Sequence, residues 1–304
     1  GQGSLSVLPD FVQKKRFGPA QHVIYLVDEY FRENRSIVDQ LGAESQDRLI
    51  YVVTDIEPTT NYIDGIYNEL VNEFDPAKYS AVVGIGGGIT LDTAKAISNL
   101  LGNSGRASDY QGWDLLERPG TYKIGVPTLS GTGAEATRTC VMTNPDTGAK
   151  MGMNSDYSIY DQLILDPNLT LSVPREQYFY TGMDSFIHCI ESLAGMYRNS
   201  IADAFSRQSL QLCREVFLSE EMQSDENRSK LMVASYLGGC AIASSYVGLV
   251  HPFSAGLSVV FGIHHGIANC IALNALADYY PEAHTEFRKM AQLQNIEIPK
   301  GICA

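Results

Sequence analysis

The chain has 304 residues, of which 44% are hydrophobic and 19% charged, so it can bury one large core or two medium ones and is not disordered on composition. The net charge of −13 argues against nucleic acid and against an anionic membrane surface as partners, because both bind basic patches. The sequence contains no signal peptide and no apolar run near the roughly 18 residues of a membrane helix, so we expect a soluble, cytoplasmic protein.

The first half of the sequence alternates strand and helix patterns. Helical patterns lie between short apolar runs, for example at 63–74 and 91–100. The apolar runs predict strands at residues 22–27, 49–53, 81–85, 122–127 and 163–165. They lack polar alternation, which is typical of parallel strands covered on both faces. We therefore predict an α/β domain with a Rossmann-like parallel sheet at residues 1–166.

After the Asp166-Pro167 pair the pattern becomes helical throughout. Helices are predicted at residues 175–195, 201–218, 226–246, 248–258, 265–280 and 282–294. These segments predict an all-α domain at residues 167–304.

The cysteines and the chain ends each allow one further prediction, the first about the state of the thiols and the second about the length of the chain. Six scattered cysteines, with no Cys-x-x-Cys pair, indicate buried thiols in a reducing compartment. The sequence begins Gly-Gln-Gly without Met, and its last residues carry no helix-ending signal, so we expect a chain truncated at both ends.

A glycine cluster predicts a nucleotide-binding turn. Gly86, Gly87 and Gly88 follow a predicted strand and open a predicted helix, where close backbone approach and free N–H groups suit a pyrophosphate. The pattern is not a true G-x-G-x-x-G, and a turn needed only for packing is the alternative. Asp28 ends the first predicted strand, a position that binds ribose hydroxyls and disfavours a 2′-phosphate. Taken alone, this residue is better explained as a helix N-cap.

A third turn rich in glycine and hydroxyl groups follows the strand at 122–127. Residues 127–135 read PTLSGTGAE, and their hydroxyl and N–H groups suit phosphates or a nicotinamide edge. Three such turns after strands match ligand binding at the carboxyl ends of a parallel sheet.

Two pairs of residues in the second half suit a metal ion. Asp184 and His188 lie four residues apart on a predicted helix and share one face, although a surface Asp–His pair is the alternative. His251 and His265 would lie ~21 Å apart on one continuous helix. Because ligands of one Zn²⁺ each lie about 2.0–2.1 Å from it, a shared ion requires a turn between them, which Gly262 offers. Spacing alone does not choose between His264 and His265.

These motifs together resemble the iron-containing, or group III, alcohol dehydrogenase family. The segments that carry the resemblance stand in family order and cover most of the chain: GGGITLDTAKA, PTLSGTGAEAT, DPNLTLSVP, TGMDSFIHCIES and HPFSAGLSVVFGIHHGIANCIAL. The resemblance implies a dehydroquinate synthase-like architecture, with NAD and one divalent ion, Fe²⁺ or Zn²⁺, as cofactors. It implies metal ligation by Asp184, His188, His251 and His265. It implies NAD contacts by Asp28, Gly87, Gly88, Thr128, Leu129, Thr132 and Lys150.

Two positions depart from the family pattern. Ile89 stands where members usually have Ser, which removes one hydroxyl near the phosphates but leaves the backbone donors. Ala255 stands where many members have a second His that serves in proton transfer. We therefore take His264 as the first candidate for moving the proton.

A finer likeness concerns the substrate. The segments 110–114 (YQGWD) and 154–157 (NSDY) and the pair His264-His265 resemble the branch that oxidises C8 of 3-deoxy-manno-octulosonate (Kdo) on the way to an 8-amino sugar of lipopolysaccharide. A sugar acid needs a cation for its carboxylate, and Arg138 is the candidate, with a structural ion pair as the alternative. The predicted partner is thus a small polyhydroxy alcohol or sugar acid, and we also expect a homodimer.

The sequence therefore predicts an enzyme that oxidises a primary alcohol to an aldehyde. A general iron or zinc alcohol or polyol dehydrogenase is the first alternative. A lyase like dehydroquinate synthase and a non-catalytic binding protein are alternatives of other classes. Oxygen as the final electron acceptor stays open, because the Kdo-oxidising branch is described as an oxidase.

Overall fold

The structure, a computed structural model, describes residues 1–16 and 21–302. Two compact units are present. The first consists of Gly1–Thr128 and Thr137–Asp166, and the second of Leu129–Ala136 and Pro167–Ala304. The segment Leu129–Ala136 thus packs with the second unit although it lies between two parts of the first.

The first unit is built on a parallel sheet. Its strands are β1 (His22–Asp28), β2 (Arg48–Val52), β3 (Tyr79–Gly86), β4 (Gly112–Trp113), β5 (Lys123–Pro127), β6 (Thr139–Asn144), β7 (Ala149–Asn154) and β8 (Gln162–Leu163). Its α-helices are α1 (Leu8–Gln13), α2 (Arg35–Val38), α3 (Thr60–Glu73) and α4 (Gly88–Gly102). Five strands form one sheet in the order β2-β1-β3-β5-β8, with every neighbouring pair parallel. The predicted parallel α/β fold is confirmed.

The uninterrupted apolar strands explain this sheet. Val23 to Val27 of β1 are fully buried, as are Ala81 to Val83 and Ile85 of β3, so both faces of these strands are covered. Because Val27 pairs with Ile85 and Gly86 with Pro127, the carboxyl ends of β1, β3 and β5 lie side by side. The three turns that follow these strands therefore begin at one edge of the sheet.

A small second sheet was not predicted from the sequence. Strand β7 pairs with β4 in parallel and with β6 in antiparallel orientation. Helix α4 docks on it through Lys95, a fully buried side chain whose Nζ donates to the carbonyl oxygens of Thr137 and Thr139 at 2.7 and 2.9 Å.

The second unit is helical, as predicted. Its helices are α5 (Arg175–Ala194), α6 (Ser200–Phe217), α7 (Asp225–Ser245), α8 (Val250–Phe261), α9 (His265–Ala275) and α10 (Pro281–Leu293). Helix α5 is buried on all sides between Tyr178 and Ser192, so it is the central helix of this unit. Helix α9 ends at Ala275, five residues before the predicted end at 280.

Short 3₁₀ helices complete the two units. They are Ser4–Val7, Glu29–Arg32, Pro76–Lys78, Ala107–Tyr110, Asp156–Ser158 and Pro167–Thr170. In the described part of the chain, no single helix has the length and apolar character to cross a membrane, and only the pair α7 and α8, bent by 106°, meets those criteria together.

The cysteines of the described residues carry free thiols, in agreement with the sequence. Cys140, Cys189, Cys213 and Cys270 are buried and Cys240 is half-buried. Cys303 lies outside the described residues.

Candidate metal centre and nucleotide turns

Helix α5 carries two of the predicted metal ligands on one face. Asp184 and His188 lie one helical turn apart and are 1% and 3% exposed. The distance from His188 Nε2 to Asp184 Oδ1 is 3.4 Å. The same face continues to Glu191, seven residues after Asp184, which is fully buried.

The other two predicted ligands come from α8 and α9. His251 lies in the first turn of α8, and His265 is the first residue of α9. Gly262 ends α8 in a left-handed conformation with a φ of +65°, so the predicted break between the two histidines is confirmed. His251 Nε2 lies 3.2 Å from Asp184 Oδ1, and His265 Nε2 lies 3.5 Å from Asp184 Oδ2.

One ligand atom each of Asp184, His188 and His251 lies within 4.8 Å of the others, which suits one ion, and this group of three does not include His265. Ligand atoms about 2.1 Å from a tetrahedral ion lie about 3.4 Å from one another. The three imidazole nitrogens lie 3.2–3.5 Å from the carboxylate oxygens. His251 Nε2 is buried and makes no hydrogen bond, since its contact with Asp184 lacks the geometry for one. A carboxylate with three imidazoles is a nitrogen–oxygen donor set that suits Fe²⁺ or Zn²⁺.

The charges of the cluster favour a cation. Burial alone would raise the pKa of Asp184, but His188, His265 and His251 outweigh it and hold this pKa well below its usual range. Burial lowers the pKa of His188 to about 4, so its ring is neutral at neutral pH. Burial opposes the charge of His251, but Glu191 and Asp184 raise its pKa to about 10. His251 also holds the pKa of Glu191 below its usual range against the effect of burial, so two ionised carboxylates face one charged imidazole in a buried site. A divalent cation that displaces the proton of His251 Nε2 would balance the two carboxylates.

Two further polar side chains contact the predicted ligands, and the sequence did not single them out. Glu191 accepts a short hydrogen bond from His251 Nδ1 at Oε2. Asn269, fully buried one turn after His265, donates from Nδ2 to Asp184 Oδ1 at 2.7 Å. Helical spacing alone would have found both, since each lies three or four residues from a predicted ligand on the same face.

The glycine turn joins β3 to α4. Gly87 is the N-cap of α4 without a side-chain cap, and Gly88 is the first residue of the helix. A Cβ at Gly86 would lie 2.6 Å from the Thr90 side chain, so this position excludes larger residues. The amides of this first turn lack a side-chain acceptor at the N-cap, which is the usual setting for an anion.

Asp28 ends β1 beside this turn and already acts as a cap. Its Oδ1 accepts from the amide of Tyr30 at 3.0 Å and from Thr54 Oγ1 at 3.2 Å. Burial raises the pKa of Asp28, against these hydrogen bonds. The cap explanation thus holds in the structure, and the ribose contact stays a prediction.

The third turn begins where the first unit ends. The amide of Thr128 donates to the carbonyl oxygen of Gly86 at 3.0 Å, which ties this turn to the glycine turn. Leu129 and Thr132 are half-buried and belong to the second unit. Gly131 packs directly against α5, since a Cβ there would lie 1.7 Å from the carbonyl oxygen of Thr181.

Two predicted basic residues form ion pairs within the first unit. Lys150 Nζ lies 2.9 Å from Glu57 Oε1. Arg138 contacts Asp114 at 2.5 Å and Asp156 at 3.0 Å. Arg138 therefore has the structural ion pairs that the sequence left open, and its contact with a substrate carboxylate stays a prediction.

The proposed proton carrier lies next to the last ligand. His264 is exposed and is the N-cap residue of α9, where its carbonyl oxygen accepts from the amide of Ala268 at 2.9 Å. Ala255 lies one turn after His251 on α8 and is half-buried. No imidazole therefore occupies this position of α8.

Comparison with known proteins gives consistent matches along the chain. The family model of the iron-containing alcohol dehydrogenases matches residues 1–167, and that of the C-terminal part of the Fe-containing alcohol dehydrogenase family matches residues 178–298. Sulfoacetaldehyde reductase of Bilophila wadsworthia is 33% identical over 72% of this chain. NAD-dependent methanol dehydrogenase of Bacillus methanolicus is 33% identical over 74% of it. These matches span 56% and 60% of the two relatives' own length.

Solved structures agree in fold. The crystal structure of sulfoacetaldehyde reductase from Bifidobacterium kashiwanohense in complex with NAD⁺ aligns with a TM-score of 0.83 at 21% identity. The alignment covers 98% of this chain and 84% of that one.

Proposed function

Because the chain belongs to the iron-containing alcohol dehydrogenase family, we propose that it interconverts a primary alcohol and its aldehyde with NAD and one divalent ion, Fe²⁺ or Zn²⁺. The observation that carries this proposal is the approach of three imidazole nitrogens to the Asp184 carboxylate at 3.2–3.5 Å. The names of the two relatives, a methanol dehydrogenase and a sulfoacetaldehyde reductase, support chemistry at a small alcohol or aldehyde.

The proposed ion is held by Asp184, His188, His251 and His265. When bound, such an ion is a Lewis acid that lowers the pKa of an alcohol hydroxyl. The side chains hold the site in place, because Asp184 and His188 are fixed on the central helix and Asp184 is also held by Asn269. Their burial excludes water from one side of the site and strengthens the electrostatic interactions there.

The proposed NAD contacts are made by Asp28, Gly87, Gly88, Thr128, Leu129, Thr132 and Lys150. Two features support the assignment: the amides at the start of α4, which suit a pyrophosphate, and the half-buried carboxylate of Asp28, which suits ribose hydroxyls. The cofactor carries the redox step, and these residues orient it.

The proposed substrate is the C8 alcohol of Kdo. The motif residues behind this proposal meet at the small sheet, since the amide of Asp114 donates to the carbonyl oxygen of Asn154 at 2.7 Å and Asn154 Nδ2 donates to that of Gly112 at 2.8 Å. Arg138 lies beside both motifs, bonded to Asp114 and Asp156. A sugar carboxylate would compete with these two exposed acids for the guanidinium. For the proton we propose His264, because it is exposed and adjacent to His265.

A substrate panel tests this proposal. Kdo, simple primary alcohols and 1,2-diols are each assayed with NAD and with NADP by NADH or NADPH absorbance, and with an oxygen electrode. We expect NADH formation that requires the ion, with Kdo preferred. Turnover of a simple alcohol with Kdo inert would refute the substrate and keep the dehydrogenase. Oxygen uptake without NAD would refute NAD as the acceptor.

The proposed homodimer has one supporting observation. Helix α8 exposes Phe253, Val260 and Phe261, which are 51–71% exposed, and such an apolar surface is usually covered by a partner. Light scattering of the purified protein measures the mass, and a monomer at high concentration would refute the dimer.

A further inference from the structure

Glu191 makes three hydrogen bonds to one short stretch of chain. Its Oε1 accepts from the amides of Val250 at 2.5 Å and His251 at 3.3 Å. Its Oε2 accepts from His251 Nδ1. The side chain is fully buried, so these partners replace all of its contacts with water.

The two amide bonds cap helix α8. The N-cap residue Leu249 makes no side-chain cap, and the first amides of a helix have no partner within it. A carboxylate at this end is also favoured by the helix dipole. Glu191 thus fixes the start of the helix that carries His251, although it belongs to α5.

The third bond fixes the ring of His251. A carboxylate at Nδ1 keeps a proton on that nitrogen, so an ion that binds the ring displaces the proton of Nε2 and takes the lone pair there. Nε2 is also the atom that lies 3.2 Å from Asp184 Oδ1. One residue therefore sets both the position and the tautomer of this ligand.

We propose that Glu191 is the positioning residue of the metal centre, which makes His251 a ligand by capping α8 and holding the His251 proton on Nδ1. This inference rests on the metal-dependent function proposed above. Helix α5 accordingly presents two ligands and the positioning residue of a third on one face, with Asp184, His188 and Glu191 at i, i+4 and i+7.

The variant Glu191→Gln tests this role. An amide has one acceptor oxygen, so it cannot accept from the α8 amides and from His251 Nδ1 together. If the oxygen keeps the cap, the NH₂ group faces Nδ1 and forces the proton to Nε2, which blocks ligation. We expect the affinity for Zn²⁺ to fall roughly 10- to 100-fold, measured by competition with a chromophoric chelator on metal-stripped protein.

Two controls accompany it. Glu135 is a buried acid of the same unit that accepts from Ser235 Oγ at 2.9 Å, and we expect Glu135→Gln to keep the wild-type affinity. Glu191→Asp keeps the carboxylate on a shorter side chain, and its affinity should lie between those of wild type and Glu191→Gln. It also serves for the titration if Glu191→Gln does not fold. The visible bands of bound Co²⁺ report the ligand set independently of activity, and they should change in Glu191→Gln.

The outcomes separate this inference from the proposed function. Equal Zn²⁺ affinity and equal Co²⁺ bands in wild type and the Glu191 variants would overturn the positioning role and leave the metal-dependent function standing. Wild-type protein that binds neither ion would overturn the function itself. An equal loss of affinity in Glu135→Gln would show that any buried acid has this effect, and would also overturn the specific role of Glu191.

Discussion

The break between α8 and α9 can be tested by two alanine variants of opposite effect. Gly262 has a φ of +65°, and a Cβ there would meet no atom within 4 Å. The cost of Gly262→Ala is therefore that of the left-handed backbone alone, about 1–2 kcal/mol of unfolding free energy. Gly256 lies inside α8, where a Cβ would also meet nothing within 4 Å. Gly256→Ala should therefore stabilise the protein by about 0.5–1 kcal/mol.

Urea unfolding monitored by circular dichroism measures both changes. The two sites are six residues apart, and an added Cβ meets no atom within 4 Å at either of them. Any effect of the extra methyl group that does not depend on backbone conformation should therefore be the same in both variants. We expect Gly262→Ala to lower the midpoint and Gly256→Ala to raise it. A shift of the same sign in both variants would refute the argument that the left-handed turn, rather than helix propensity, determines this site.

Three further predictions concern other parts of the molecule. Asn269→Ala removes the donor to Asp184, and we expect Zn²⁺ affinity to fall roughly 10-fold by chelator competition; unchanged affinity would contradict it. Asp28→Asn keeps the capping oxygen and removes the charge, so the ratio of kcat/KM for NADP to that for NAD should rise; a constant ratio would rule out the ribose contact. Burial raises the pKa of Asp92 to about 6 from an ordinary value near 3.8, so the folded state binds the proton more tightly than the unfolded state. Its contribution to stability therefore falls as pH rises from about 4 to 6, by up to about 1.4 kcal/mol per pH unit. The unfolding free energy of Asp92→Asn should lack this slope, and identical pH profiles would contradict it.

The helices and the long strands could be predicted because their patterns are local. Apolar runs such as residues 22–27 and helical periodicity such as residues 175–195 appear in the structure as β1 and α5 with ends shifted by one residue. The sheet formed by β4, β6 and β7 could not be predicted in this way. Strand β4 has two residues, and β7 (AKMGMN) lacks β-branched residues, so long-range pairing rather than propensity forms them.

In the metal site, too, local spacing predicts some of the residues, and contacts between distant parts of the chain determine the others. Spacing indicated Asp184 with His188 and required a turn before His265, and both follow from helix geometry. Spacing left His264 and His265 open, and the structure places His265 Nε2 3.5 Å from Asp184 Oδ2. Helical spacing places Glu191 on the same face as Asp184 and His188, but its partner His251 lies 60 residues away, so no local pattern indicates the hydrogen bond between them.

The central claim is that the four ligands hold an ion on which alcohol oxidation depends. The direct measurement is NADH formation from a primary alcohol by the full chain before and after chelator treatment, with elemental analysis of each sample. We expect one Fe²⁺ or Zn²⁺ per chain, loss of activity on its removal, and recovery on addition of one equivalent. Full activity in protein shown to be free of metal would contradict the account.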